Sequence, residues 1–181
     1  MVAESDVGRI GAAALDRFAR HGYAHTALAD IAVGAGVPEA QLQTQFADVG
    51  ALVAALTTPL ARRLDAHVRR AALADTRDHT EVAAILSEYL DTLVDHRALI
   101  EVLLGDRTAA ECPPVNRIKA GLTELRDRLA GPLGGPGERI RASAALGAVQ
   151  QAVADFSDAE LVTTRTVIVD TAAAILLDER R

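Results

Sequence analysis

Residues 26–46 read TALADIAVGAGVPEAQLQTQF, two short helix-like stretches broken by an Ala-Gly-Val turn. Thr26 is a good N-cap for the first stretch, in which Leu28, Ile31 and Ala32 share one face. Gly36 supplies the positive φ that other residues resist. Pro38 suits the first turn of the second stretch, where its missing N–H costs nothing. Leu42 and Phe46, four apart, turn that helix's apolar side inward. An amphipathic helix precedes the pair, from about Asp6 to Arg20, with Ile10, Ala14 and Phe18 at helical spacing and Val7 and Leu15 widening the stripe. Ser5 or Asp6 can cap its start, and Gly22 sits where a left-handed C-terminal cap is wanted. This is the punctuation of a helix-turn-helix.

The remainder predicts more helices joined by short breaks. Asp48 can cap a long helix to about Ala74. The connector DTRDHT offers Thr80 as the next cap, and residues 81–105 form two helices bent near Asp95 to Arg97. Pro113 and Pro114 end one helix and can start another, GPLGGPGE at 131–138 is a loop, and two last helices follow. The run VTTRTVIV is the one ambiguous segment, and its neighbours favour helix. Half of the residues are apolar but only 3% are aromatic, so Ala, Leu and Val must carry the burial in closely packed helices. The expected fold class is all-α, with about nine helices. The single cysteine, Cys112, excludes an internal disulfide. The N-terminus is polar and acidic, and no apolar run approaches the roughly 20 residues of a membrane span. A soluble cytoplasmic protein is expected, without a membrane partner.

Residues 10–52 resemble, without a gap, the N-terminal pattern of the TetR family of bacterial transcriptional regulators. The resemblance is carried by an apolar first helix ending FARHGY, then Thr26, Leu-Ala-Asp-Ile-Ala at 28–32, Ala-Gly-Val at 35–37, Leu42, Phe46 and Leu52. It implies a three-helix DNA-binding head at 1–50 and a helical body at 51–181 that binds a small molecule and dimerises through its last two helices. Ligand binding would then change the spacing of the two heads and release operator DNA. The DNA contacts carried over fall at Thr26, Pro38, Gln41, Gln43, Thr44 and Gln45.

At those contacts the chain departs from the family pattern. Pro38, Glu39 and Ala40 stand where a Ser or Thr cap, a Lys or other small polar residue, and a Gly or small residue are usual. Gln43 and Gln45 replace aromatic contacts on the phosphate backbone, and Val49 replaces a Lys. From Ala24 to Leu52 there is no Lys or Arg, and over residues 1–50 three arginines (Arg9, Arg17, Arg20) face six carboxylates, a balance of −3. Glutamine can pair with adenine N6 and N7, but phosphate contacts normally supply much of the affinity. Two functions therefore compete: an operator-binding, ligand-responsive repressor, and a TetR-like module that has lost DNA binding and acts through a small molecule or a protein.

Enzyme chemistry finds no motif, and no catalytic residue, metal site or cofactor is expected. His21 and His25 are four apart, but Gly22 ends the helix between them. Asp95, His96 and Glu101 have no spacing that joins them to Cys112 as a nucleophile pair. In the body, Tyr89, Leu93, His96, Ile100, Leu103 and Leu122 are the expected ligand lining, with Leu104 and Ile118 beside them, and the scarcity of aromatics favours an aliphatic ligand. For the homodimer interface, Leu146, Val149, Val153, Leu161, Val167, Ile168 and Ile175 offer more apolar surface than one monomer face needs, and Ala144, Ala145, Ala148 and Ala152 permit close helix approach.

Overall fold

In a computed structural model that describes residues 4–177, the described residues form nine α-helices and no strand. They are α1 (Glu4–His21), α2 (Leu28–Ala35), α3 (Glu39–Gln45), α4 (Val49–Leu73), α5 (His79–Asp95), α6 (Arg97–Gly105), α7 (Pro113–Ala130), α8 (Pro136–Asp155) and α9 (Asp158–Leu177), with 3₁₀ turns at Tyr23–His25 and Ala109–Glu111. The all-α expectation holds, and the ambiguous run VTTRTVIV lies inside α9. The side chains of Ser5, Asp6 and Val7, expected to cap and widen α1, lie outside the described residues. No described helix is long and apolar enough to cross a membrane.

The helices divide into two compact units. The first holds the described residues up to Pro59 together with Ala98–Arg117; the second holds Leu60–Arg97 and the chain from Ile118 onward. Pro59 lies within α4, where it removes one link of the helix's hydrogen-bond ladder. Just before it, the Thr57 hydroxyl donates to the Val53 carbonyl at 2.8 Å and the Thr58 hydroxyl to the Ala54 carbonyl at 2.7 Å.

In the first unit, α1 packs on α2 and α2 on α3. The stripe Ile10, Ala14 and Phe18 is buried, as are Ile31, Ala32, Leu42 and Leu52. Gly22 has the positive φ expected, 80°, but its ψ of 157° is extended, so it is not the left-handed cap the sequence suggested. That conformation carries the chain into the 3₁₀ turn rather than closing the helix. Two caps also differ from expectation. Ala27, not Thr26, is the N-cap of α2, and its N–H donates to Asp30 Oδ2 at 3.1 Å. The Thr26 hydroxyl instead donates back to the Gly22 carbonyl at 2.9 Å. Asp78, not Thr80, caps α5, because its carboxylate accepts the N–H groups of Thr80 and Glu81. A carboxylate at this position satisfies two free amides and favours the positive end of the helix.

In the second unit, α5 packs against both α8 and α9, which pack on each other. Ile85, Leu86, Tyr89 and Leu90 of α5 are buried, and on the last two helices Ala142, Ala145, Ala172 and Ala173 are wholly buried. Arg165 on α9 ties the layers together, forking onto Asp91 and donating to the Ser87 carbonyl at 3.0 Å and its hydroxyl at 2.7 Å. A planar guanidinium suits this bidentate pairing.

Candidate nucleic-acid interface

The turn between α2 and α3 is made by Gly36, at φ 64° and ψ 36°, and by the Val37 N–H, which donates to the Ala32 carbonyl at 3.0 Å. Together they close α2 and reverse the chain. Pro38 then stands as the N-cap of α3, one position ahead of the place expected for it. Leu42 is fully buried and fixes which side of α3 faces in. The outward side carries Glu39, Ala40, Gln43, Thr44 and Gln45, with Gln41 half-buried at its edge.

Two of these polar groups are already engaged. The Gln43 amide donates to Glu39 Oε1 at 2.7 Å, and the Thr44 hydroxyl donates to the Ala40 carbonyl at 2.7 Å. The Gln41 and Gln45 amides have no partner among the described residues, so both keep a full donor and acceptor set. Thr26 is buried with its proton committed to Gly22, which leaves it an acceptor only.

Cations gather elsewhere in this unit. A cleft of about 530 Å³ is lined by Arg17, Arg20, His21, His25, Thr26 and Asp30, along the seam of α1 and α2. Arg20 pairs with Asp16 at 2.8 Å on the surface, an arrangement worth little. Arg17 has no ion-pair partner among the described residues, and its Nε lies 3.9 Å from where a Cβ on Gly34 of α2 would sit.

No sequence-family model and no curated protein sequence matches the chain. Its backbone is similar to that of the TetR-family transcriptional regulator PfmR from Thermus thermophilus, with a TM-score of 0.66 over 96% of this chain and 100% of that one, at 16% identity. It is similar also to the fatty acid degradation regulator FadR from Bacillus halodurans (TM-score 0.62, 18% identity, 100% and 99% covered). A third likeness is to FadR from Bacillus subtilis in complex with stearoyl-CoA (TM-score 0.59, 15% identity, 94% and 97% covered). The fold is that of TetR-family regulators.

Within this TetR fold the residues expected around a ligand fall in both units. Ile100 and Leu103 belong to the first, and Tyr89, Leu93, His96 and Leu122 to the second. Tyr89 is fully buried, its hydroxyl accepting from Gln150 Nε2 at 2.6 Å, and burial pushes its phenol well above the usual range. Leu93 is buried, and the half-buried His96 uses Nδ1 on the Thr92 carbonyl at 2.9 Å. A cleft of about 520 Å³ in the second unit is lined by other residues, among them Thr76, Glu124, Asp127, Arg128 and Arg139. Of the residues expected at a dimer interface, Leu146, Val149, Val153 and Leu161 are buried within the chain's own second unit, Ile168 and Ile175 are half-buried, and Val167 is exposed.

Sequence reasoning missed Asp106. Its carboxylate accepts the Tyr23 N–H at 2.7 Å through one oxygen, and the Thr108 and Ala109 N–H groups at 2.7 and 3.0 Å through the other. One side chain thus caps both 3₁₀ turns of the first unit, and these backbone bonds, with that of Tyr23 the largest, hold its carboxyl below the usual range. The spacing Asp-x-Thr announces the local turn, but nothing in the sequence announces Tyr23. Asp106→Ala should cost about 1–2 kcal/mol, the upper part of the usual range for a lost cap, and Asp106→Asn less. Because the folded carboxyl is the stronger acid, this stabilisation is present above the carboxylate range and lost as pH falls through it. Urea unfolding of both variants at neutral pH checks the magnitude; equal stabilities of Asp106→Ala and the parent would remove the role.

Proposed function

We propose that the protein is a ligand-responsive transcriptional repressor that binds operator DNA as a homodimer. The observation that carries this reading is the completed helix-turn-helix: a left-handed Gly36 turn, an α3 anchored by Leu42, and unpartnered amides on the exposed Gln45 and, at the edge of that face, the half-buried Gln41. Residues 1–50 serve as the DNA-binding domain and residues 51–181 as the ligand-binding and dimerisation domain. Dimerisation is supported by apolar side chains left exposed on the last two helices, Ile140 at 68%, Val162 at 77% and Val167 at 66%. An aliphatic or acyl effector is favoured by the near absence of aromatics and by the stearoyl-CoA held by the similar FadR of Bacillus subtilis. The protein acts by binding rather than by catalysis.

A second reading, loss of DNA binding with retention of a small-molecule or protein partner, is favoured by one feature. The exposed face of α3 has a carboxylate, Glu39, and no cation. Binding of the purified protein to its own upstream intergenic DNA, titrated against salt, separates the two. Specific binding that weakens steeply with salt supports the repressor. No binding at low salt, with a dimeric mass by light scattering, supports the second reading. A monomeric mass at micromolar concentration would overturn the homodimer.

A further inference from the structure

The repressor reading leaves a physical gap, because a recognition helix without cations lacks the charged phosphate contacts that normally supply much of the affinity. We propose that the phosphate grip lies in the α1–α2 cleft, with Arg17 and Arg20 holding the DNA backbone while α3 reads bases. The inference rests on the repressor reading and extends it to residues that a helix-turn-helix pattern does not mark.

Four observations converge on that cleft. It brings together two arginines and two histidine rings against a single lining carboxylate, Asp30, one of whose oxygens is occupied by the Ala27 N–H. Its volume of about 530 Å³ has room for a phosphate and the adjoining sugars. Arg17 has no ion-pair partner among the described residues, so its guanidinium is free to take a bidentate phosphate. The Arg20–Asp16 pair is exposed on both sides and exchanges for a phosphate at little cost. The location also fits how such motifs dock, since the first helix of the pair crosses the backbone while the second enters the major groove. The other arginines of this unit suit the role less well. Arg9 and Arg117 have partners of their own, and Arg107 lies beyond α6 in the 98–117 segment.

The division of labour is testable by salt dependence. Arg17→Gln keeps the stem that lies along α2 and removes only the charge; Arg20→Gln does the same at the cleft mouth. Kd for the upstream duplex and for a scrambled duplex would be measured by fluorescence anisotropy from about 50 to 200 mM salt. The double variant should bind both duplexes about 100-fold more weakly at the low-salt end, with the slope of log K against log salt reduced by about one per lost contact and the preference between duplexes unchanged. Arg17→Lys should keep the slope, which separates charge from packing, and Arg69→Gln on the exposed side of α4 should match the parent. An unchanged slope in the double variant, with the parent still binding DNA, would overturn the cleft assignment and leave the repressor reading intact. A parent that binds no duplex at any salt would overturn both.

Discussion

Glu39→Lys is expected to tighten binding to any duplex by about ten-fold per head at roughly 50 mM salt, and to steepen the salt dependence by about one counterion per head. Glu39 opens α3 on its exposed side, and its carboxylate holds the Gln43 amide at 2.7 Å. Two charges change at once: a repulsive carboxylate leaves the face offered to the phosphates, and a cation arrives that can displace a condensed counterion. Gln43 is also released to meet a base edge, so sequence preference should shift at one position of the site. The cost is small, because Lys in a first helical turn opposes the helix dipole by about 0.3–1 kcal/mol and Leu42, wholly buried, still anchors α3. A thermal melt would verify that the head stays folded. If affinity and salt slope both stay at the parent's values, the outer face of α3 does not meet DNA, and the module reading with lost DNA binding becomes the better one.

The head was legible in the sequence because its signals are local. A turn glycine, a proline beside the helix start and an apolar residue inside it have fixed spacings and map onto Gly36, Pro38 and Leu42 in the fold, whereas Phe46, read as the second inward residue of α3, is its half-buried, extended C-cap. What failed, there and at the start of α5, were decisions between adjacent groups. Thr26 or Ala27 as cap, and Asp78 or Thr80, depend on which side chain the backbone path leaves within reach of a free amide. The body was legible only as helices. Periodicity identifies an apolar face but not what covers it, which is why Leu146, Val149, Val153 and Leu161, read as surface for a partner, are covered within the chain itself. The sequence offers Arg9, Arg17 and Arg20 as one or two candidate backbone contacts, but the cleft that joins Arg17 and Arg20 to His21 and His25 could not be assembled from it, for a different reason. Its residues look like an ordinary solvated helix end until α2 folds back along α1 and Thr26 and Asp30 close the other wall.

Mild acid is expected to destabilise the second unit through one buried histidine. His67 on α4 is only 6% exposed, and its Nε2 lies 2.8 Å from Thr92 Oγ1. That hydroxyl donates its proton to the Glu88 carbonyl at 3.0 Å, so it must accept from Nε2–H. Nδ1 is then the bare nitrogen, 3.8 Å from the Glu88 carboxylate, which already pairs with Arg70. Tyr89 meets the ring edge-on, and Arg63, paired with Asp95, completes the charged surroundings. Burial lowers the His67 pKa; Glu88 opposes the shift, and Arg63 and Arg70 reinforce it. With the folded value below the unfolded one, the unfolded chain takes up its proton first. The stabilisation is therefore complete above the ordinary histidine range, near pH 6.5, and is lost as pH falls through the folded value, at no more than about 1.4 kcal/mol per pH unit. The capping carboxylates of Asp78, Asp106 and Glu160 are held low and lose their contribution only at more acid pH. His67→Gln places an amide N–H where Nε2–H stood and cannot titrate. Urea unfolding at pH 8, 6.5 and 5.5 should show the parent losing stability across that interval while His67→Gln stays nearly level. Parallel losses in the two proteins would assign the acid sensitivity to another group.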